Sequence, residues 1–160
     1  MACGYHGWQD WFIGTTTRNA GVPDAVSQLT IPFTYNDLSS LKELLQQNSG
    51  QVAAIIMEPM GVVDPSPGYL AEVRRLSNEH GAVLVFDECW TGFRIHLKGA
   101  FGRFGVAPDI ACFGKALGNG APISVILGRA DIMEVFEESF FSFTFGGDLI
   151  GITAANAVLD

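Results

Sequence analysis

Residues 82–94 read Ala82-Val83-Leu84-Val85-Phe86-Asp87-Glu88-Cys89-Trp90-Thr91-Gly92-Phe93-Arg94. The unbroken apolar run at 82–86 lacks the alternation of a half-exposed strand and suits a strand buried on both faces. Two carboxylates end it. The same arrangement recurs outward in both directions. Upstream, the apolar residues 52–57 stop at Glu58-Pro59; downstream, residues 110–113 stop at Gly114-Lys115, and residues 123–127 form a fourth run. Helical spacing fills the intervals. Leu38, Leu41, Leu44 and Leu45 recur between Asn36 and Asn48, with Gly50 behind them. Pro67-Gly68 opens a second helix through Leu70, Val73 and Leu76, and Gly81 ends it. An acidic helix over 130–138 and another over 149–160 complete the pattern. Strand, helix, strand in succession, with the strands doubly buried, predicts an α/β fold: a mostly parallel sheet with right-handed crossovers and flanking helices.

Composition narrows the functional classes. The 160 residues are 48% hydrophobic and 16% charged, against a usual charged share of about 25%. That balance supports a sizeable core and excludes intrinsic disorder. Nine Lys and Arg against 17 Asp and Glu give a formal net charge of -8, which argues against nucleic acid or an anionic membrane as partner. No apolar run approaches the roughly 18 residues that span a bilayer, and residues 1–7 do not resemble a signal peptide. Three cysteines without close pairing point to a reducing, cytoplasmic setting. No repeat or linker interrupts the chain, so residues 1–160 read as one unit.

Glu58, Asp87 and Lys115 each lie at or just past the C-terminal end of a predicted strand, the edge where open α/β sheets bind ligands. Familiar signatures fail there. A phosphate-binding P-loop ending at Gly114-Lys115 needs glycine at 109 and Ser or Thr at 116, where Asp109 and Ala116 stand. The histidines and cysteines lack metal-ligand spacing, and no serine sits in a nucleophile elbow. A lysine on a glycine-rich loop beside an aspartate suits other chemistry. A Schiff-base lysine must be a neutral amine part of the time, which partial burial favours. Pyridoxal phosphate needs a carboxylate to keep its ring nitrogen protonated and aromatic residues to sandwich the ring. Lys115 and Asp87 fit the first two roles, Tyr5 with Trp8 and Trp11 nearby could fill the third, and Gly118-Asn119-Gly120 leaves room for a flat ligand.

Four ordered stretches carry a resemblance to a known family. Gly4-Tyr5-His6-Gly7-Trp8, Ile56-Met57-Glu58-Pro59, the run from Phe86 to Arg94, and Asp109-Ile110-Ala111-Cys112-Phe113-Gly114-Lys115-Ala116-Leu117-Gly118 resemble successive signatures of class III pyridoxal phosphate-dependent aminotransferases. Thr91-Gly92-Phe93-Arg94 with Lys98-Gly99-Ala100, and Gly147 after Thr144-Phe145, are most similar to the glutamate-1-semialdehyde aminomutase-like branch. The resemblance implies a fold-type I large domain and pyridoxal 5'-phosphate as cofactor. Lys115 then matches the catalytic Schiff-base lysine and proton carrier. Asp87 matches the partner of the pyridinium nitrogen, and Tyr5 the residue stacked on one ring face. Cys89 stands where the family usually has Val against the other face. Thr144 matches the threonine that reaches the cofactor phosphate of a neighbouring subunit, implying a homodimer. For Glu58 two roles stay open, capping a loop near the cofactor or bonding backbone amides.

The resemblance implies amino-group transfer between a small amino donor and a keto or aldehyde acceptor. A 2,1-aminomutase and a non-catalytic truncated homologue are the alternatives. Trp90 stands where many members carry Gln, Val63 where some have a gating glutamate, and Gly147-Asp148-Leu149 where Gly-Asn-Pro is common. These departures disfavour substrates of the ornithine or 4-aminobutyrate type. Complete members are far longer, so the chain is expected to be the central part of the large domain, without the N-terminal segment and the C-terminal small domain.

Overall fold

A computed structural model describes residues 6–7, 9–140 and 142–160. The chain divides into two compact units, residues 1–53 with 65–82 and residues 54–64 with 83–160.

The first unit is helical. Short helices α1 (Asp10–Ile13) and α2 (Asp24–Ser27) precede α3 (Leu38–Gln47) and α4 (Tyr69–Glu79). The Asp37 carboxylate caps α3, accepting from the Ser39 and Ser40 amides at 2.9 and 3.2 Å. Leu41 and Leu45, one turn apart, are buried against the α4 face formed by Leu70, Val73 and Leu76. Lys42 and Glu72 pair across the two helices at 3.3 Å.

The second unit carries the sheet: β1 (Ala54–Met57), β2 (Val83–Asp87), β3 (Ile110–Phe113) and β4 (Val125–Gly128), in that order. β1 to β3 are parallel, as the apolar runs predict, whereas β4 is antiparallel to β3. The physical reason is the connection. Between Phe113 and Val125 the chain makes only a 3-10 turn, Lys115–Leu117, which lacks the crossover needed for a parallel return. Leu84 and Phe86 are fully buried. At the edge opposite the Asp87 end, buried Asp109 accepts the Leu84 amide at 2.8 Å and the Arg129 guanidinium at 3.1 Å.

Helix α5 (Gly99–Phe104) has no periodic signal in the sequence, because glycines at 99 and 102 weaken it. Gly102 is dictated by packing: a side chain there would overlap the His96 ring. The acidic helix expected over 130–138 is split into α6 (Ala130–Met133) and a 3-10 turn, Glu134–Glu137, and α7 (Leu149–Leu159) ends the chain. Among the described residues no helix is long and apolar enough to cross a membrane.

Leu84→Ala empties a fully buried site in the central pair of strands. It is expected to cost about 2–5 kcal/mol, read as a lower urea midpoint; an unchanged midpoint would show that β2 does not anchor this core.

Candidate active site

Because β1, β2 and β3 run parallel, their C-terminal ends share one edge of the sheet. Glu58 directly follows β1, Asp87 is the last residue of β2, and Lys115 lies two residues past β3. The three groups singled out in the sequence thus lie at one edge. Glu58 and Asp87 are 9% and 8% exposed.

Asp87 sits in register with Cys112 of β3, and the Glu88 amide continues the ladder onto the Cys112 carbonyl at 2.8 Å. The Asp87 Oδ1 accepts the Cys89 amide at 3.0 Å. The Cys89 Sγ lies 3.7 Å from where a Cβ on Gly114 would be, so it bridges toward the loop that carries Lys115. Burial, and then the Asp87 charge, push the Cys89 thiol up to about 12, opposed by the Lys115 charge. The Cys112 thiol is also raised, by burial first and by Asp87 second. Asp87, Cys89, Cys112 and Lys115 therefore form one electrostatic group.

Lys115 departs from expectation in one respect: it is exposed rather than part-buried. Its backbone has φ 44°, the left-handed region. For a residue with a side chain that conformation costs of order 1–3 kcal/mol and persists where the surroundings impose it. The lysine is thus turned sharply out of the strand line into the 3-10 turn that follows.

Of the glycines behind it, Gly118 is also needed by the fold itself. A Cβ on Gly118 would lie 2.3 Å from the Ala121 carbonyl oxygen and 2.7 Å from Ile123 Cγ2. Its bare backbone accommodates the chain's own return toward β4. Gly120, at φ 108°, completes that turn.

Thr144 lies on an exposed turn over 144–147, beside exposed Phe143 and Phe145. Tyr5 and Trp8 lie outside the described residues, and Trp11 is exposed. The sequence reading gave no role to Glu88, which is 1% exposed. Its carboxylate accepts the Thr91 hydroxyl at 3.0 Å and the Ala100 amide at 3.0 and 2.8 Å. Burial pushes this carboxyl up, with Ala100 and Thr91 pulling it down. A charge following a strand reads as a solvated loop; only the bare Gly99 twelve positions from Asp87 hinted that something packs there.

A lysine and a buried carboxylate thus lie at adjacent parallel strand ends of an α/β sheet. Residues 2–160 match the family model for Aminotransferase class-III. The chain is 42% identical over 173 residues to "Glutamate-1-semialdehyde 2,1-aminomutase" of Roseiflexus castenholzii, covering 97% of this chain and 39% of that protein. It is 42% identical over 159 residues to "3-aminobutyryl-CoA aminotransferase" of Cloacimonas acidaminovorans, covering 95% and 38%. Among solved structures, a transaminase with PLP bound superposes with TM-score 0.89 at 25% identity, covering 99% of this chain and 42% of that one. The protein belongs to the class III aminotransferase family and has the partial fold-type I domain of that family. It spans about two fifths of the length of the curated relatives it matches.

The residues present fit pyridoxal phosphate. A carboxylate as buried as Asp87 is costly without a cation to meet it, and the protonated ring nitrogen of that cofactor is such a cation. Lys115 supplies the amine on the adjacent strand end.

The thiolate is the reactive form of cysteine, so a thiol raised to about 12 leaves on the order of one part in 10⁴ ionised at pH 8. Cys89 is expected to resist iodoacetamide at pH 8 and to gain reactivity only as pH climbs toward that value, followed by peptide mass spectrometry. Labelling at pH 8 as fast as in the denatured chain would contradict the half-buried thiol beside Asp87.

Proposed function

We propose that residues 1–160 are one partial cofactor-binding domain of a pyridoxal phosphate-dependent enzyme that moves an amino group between a small amino donor and a keto or aldehyde acceptor. The observation that carries this reading is the pairing of Asp87 and Lys115 at adjacent parallel strand ends, with Cys89 between them. Family membership with both groups retained favours an enzyme over a non-catalytic homologue. An intramolecular 2,1-aminomutase is the second reading, favoured by a relative of that name whose 42% identity equals that of the aminotransferase.

Pyridoxal phosphate, when bound, supplies a ring that accepts electrons from the substrate carbon. Lys115 would hold it covalently through Nζ; once the substrate's own amine displaces that nitrogen, the freed Lys115 amine would take the proton from the substrate carbon bearing the amino group and return it. The left-handed backbone at Lys115 turns the chain out of the strand line, and its charge acts on Cys89 beside Asp87. Asp87 keeps the ring nitrogen protonated, and the Cys89 amide on Oδ1 fixes the carboxylate. Cys89 would pack against one ring face as a compact apolar group, the family resemblance would assign Tyr5 to the other, and Glu58 lies at the same strand edge. Thr144, exposed on its turn, is available to a neighbouring subunit's phosphate site, which supports a homodimer. The free thiols of Cys89 and Cys112 favour a reducing, cytoplasmic setting.

Lys115→Ala is expected to abolish borohydride-reducible attachment of the cofactor; an adduct retained at another lysine would overturn the assignment. Asp87→Asn is expected to keep some cofactor bound and slow proton abstraction by about 10²-fold or more, measured as a loss of kcat. Near-normal turnover would make Asp87 merely structural. Omitting the amino donor separates the two reactions, because only the aminomutase turns over without one.

A further inference from the structure

Glu88 connects three pieces of chain. Its amide is bonded to Cys112 of β3, and its carbonyl accepts the Gly92 amide at 2.8 Å. Its carboxylate takes the Thr91 hydroxyl and, across both oxygens, the Ala100 amide. The chain therefore leaves the sheet at 89 and is held again at 99–100 by the same residue. Gly99 makes this approach possible. A Cβ there would lie 2.5 and 2.6 Å from the two carboxylate oxygens, and its φ of 58° is unfavourable for any side chain. Within the loop the Arg94 and Ile95 amides donate to the Thr91 carbonyl, and the Lys98 and Gly99 amides donate to His96, so Glu88 closes a loop that is bonded internally. Arg94, His96, Leu97 and Lys98 are exposed, and its main apolar anchor is Phe93 against Phe113 at 5.4 Å between ring centres.

The first residue of that loop is Cys89, whose amide is bonded to Asp87. We propose that Glu88 is a positioning residue: by closing the 89–99 loop it holds the Cys89 amide on the Asp87 carboxylate, and so sets the orientation in which Asp87 meets the cofactor nitrogen. The last clause rests on the proposed function; the first does not. The donor set explains why a carboxylate occupies this position. Thr91 and Ala100 both donate to Glu88 Oε2, and the Ala100 amide also lies 3.0 Å from Oε1, so an acceptor is called for at both oxygen positions. An amide of the same shape turns a donor toward one of them and loses a bond, at small cost in volume.

Amide-resolved hydrogen exchange in the cofactor-free protein separates closure from cofactor chemistry. In Glu88→Gln and in Thr91→Val the Cys89 and Ala100 amides are expected to exchange about tenfold faster, with β1 amides unchanged. Thr91→Ser, which restores the hydroxyl, returns the native rate. In the holoenzyme Glu88→Gln is expected to lower kcat about tenfold with KM for the amino donor unchanged, and to shift the pH midpoint of the cofactor's visible absorbance. Unchanged exchange at Cys89 in both variants would overturn the proposal. Faster exchange with an unmoved pH midpoint would overturn the link to Asp87. Failure of the unsubstituted protein to take up pyridoxal phosphate would instead defeat the proposed function, and the exchange result would still decide whether Glu88 holds the Cys89 amide.

Discussion

Asp87 and Glu88 leave β2 as consecutive carboxylates, 8% and 1% exposed. Burial makes Glu88 resist being charged, and the neighbouring Asp87 charge adds to that. Alternation along the extended chain turns them to different neighbours. Glu88 is answered from within the protein, by a hydroxyl and a backbone amide. Asp87 receives the Cys89 amide and stands at the sheet edge where Lys115 emerges. In the proposed reading one carboxylate holds the loop and the other serves the cofactor, a division that follows from which donors the local fold supplies.

The parallel register of β1 to β3 makes that division useful. Parallel strands end on the same side, so three residues far apart in the chain reach one edge without any long side chain spanning the sheet. The antiparallel β4 then closes the unit quickly after Lys115. This tight return, with Gly118 pressed against Ala121, imposes the left-handed backbone on the lysine.

Much of this was legible in the sequence because doubly buried strands are written as short apolar runs, and charge at their ends is conspicuous. The α3 and α4 spans follow directly from leucine and valine spacing. What stayed hidden depends on tertiary contact. The direction of β4 depends on the length of its connection, not its composition. Helix α5 is held by Glu88 and by the His96 ring over Gly102, neither visible as periodicity. Glu88 itself looked like a solvated charge, because its partners Thr91 and Ala100 are brought to it only by the loop's return. Lys115 is more exposed than the partial burial that favours a neutral amine, because the chain turns out of the sheet two residues after β3.

The central claim is that Asp87 meets a protonated ring nitrogen. Nitrogen-15 NMR of the holoenzyme, loaded with pyridoxal phosphate labelled at the ring nitrogen, tests it most directly. The account predicts the chemical shift of a protonated pyridinium at neutral pH in the native protein, moving to that of an unprotonated nitrogen in Asp87→Asn. An unprotonated ring nitrogen with Asp87 in place would contradict it.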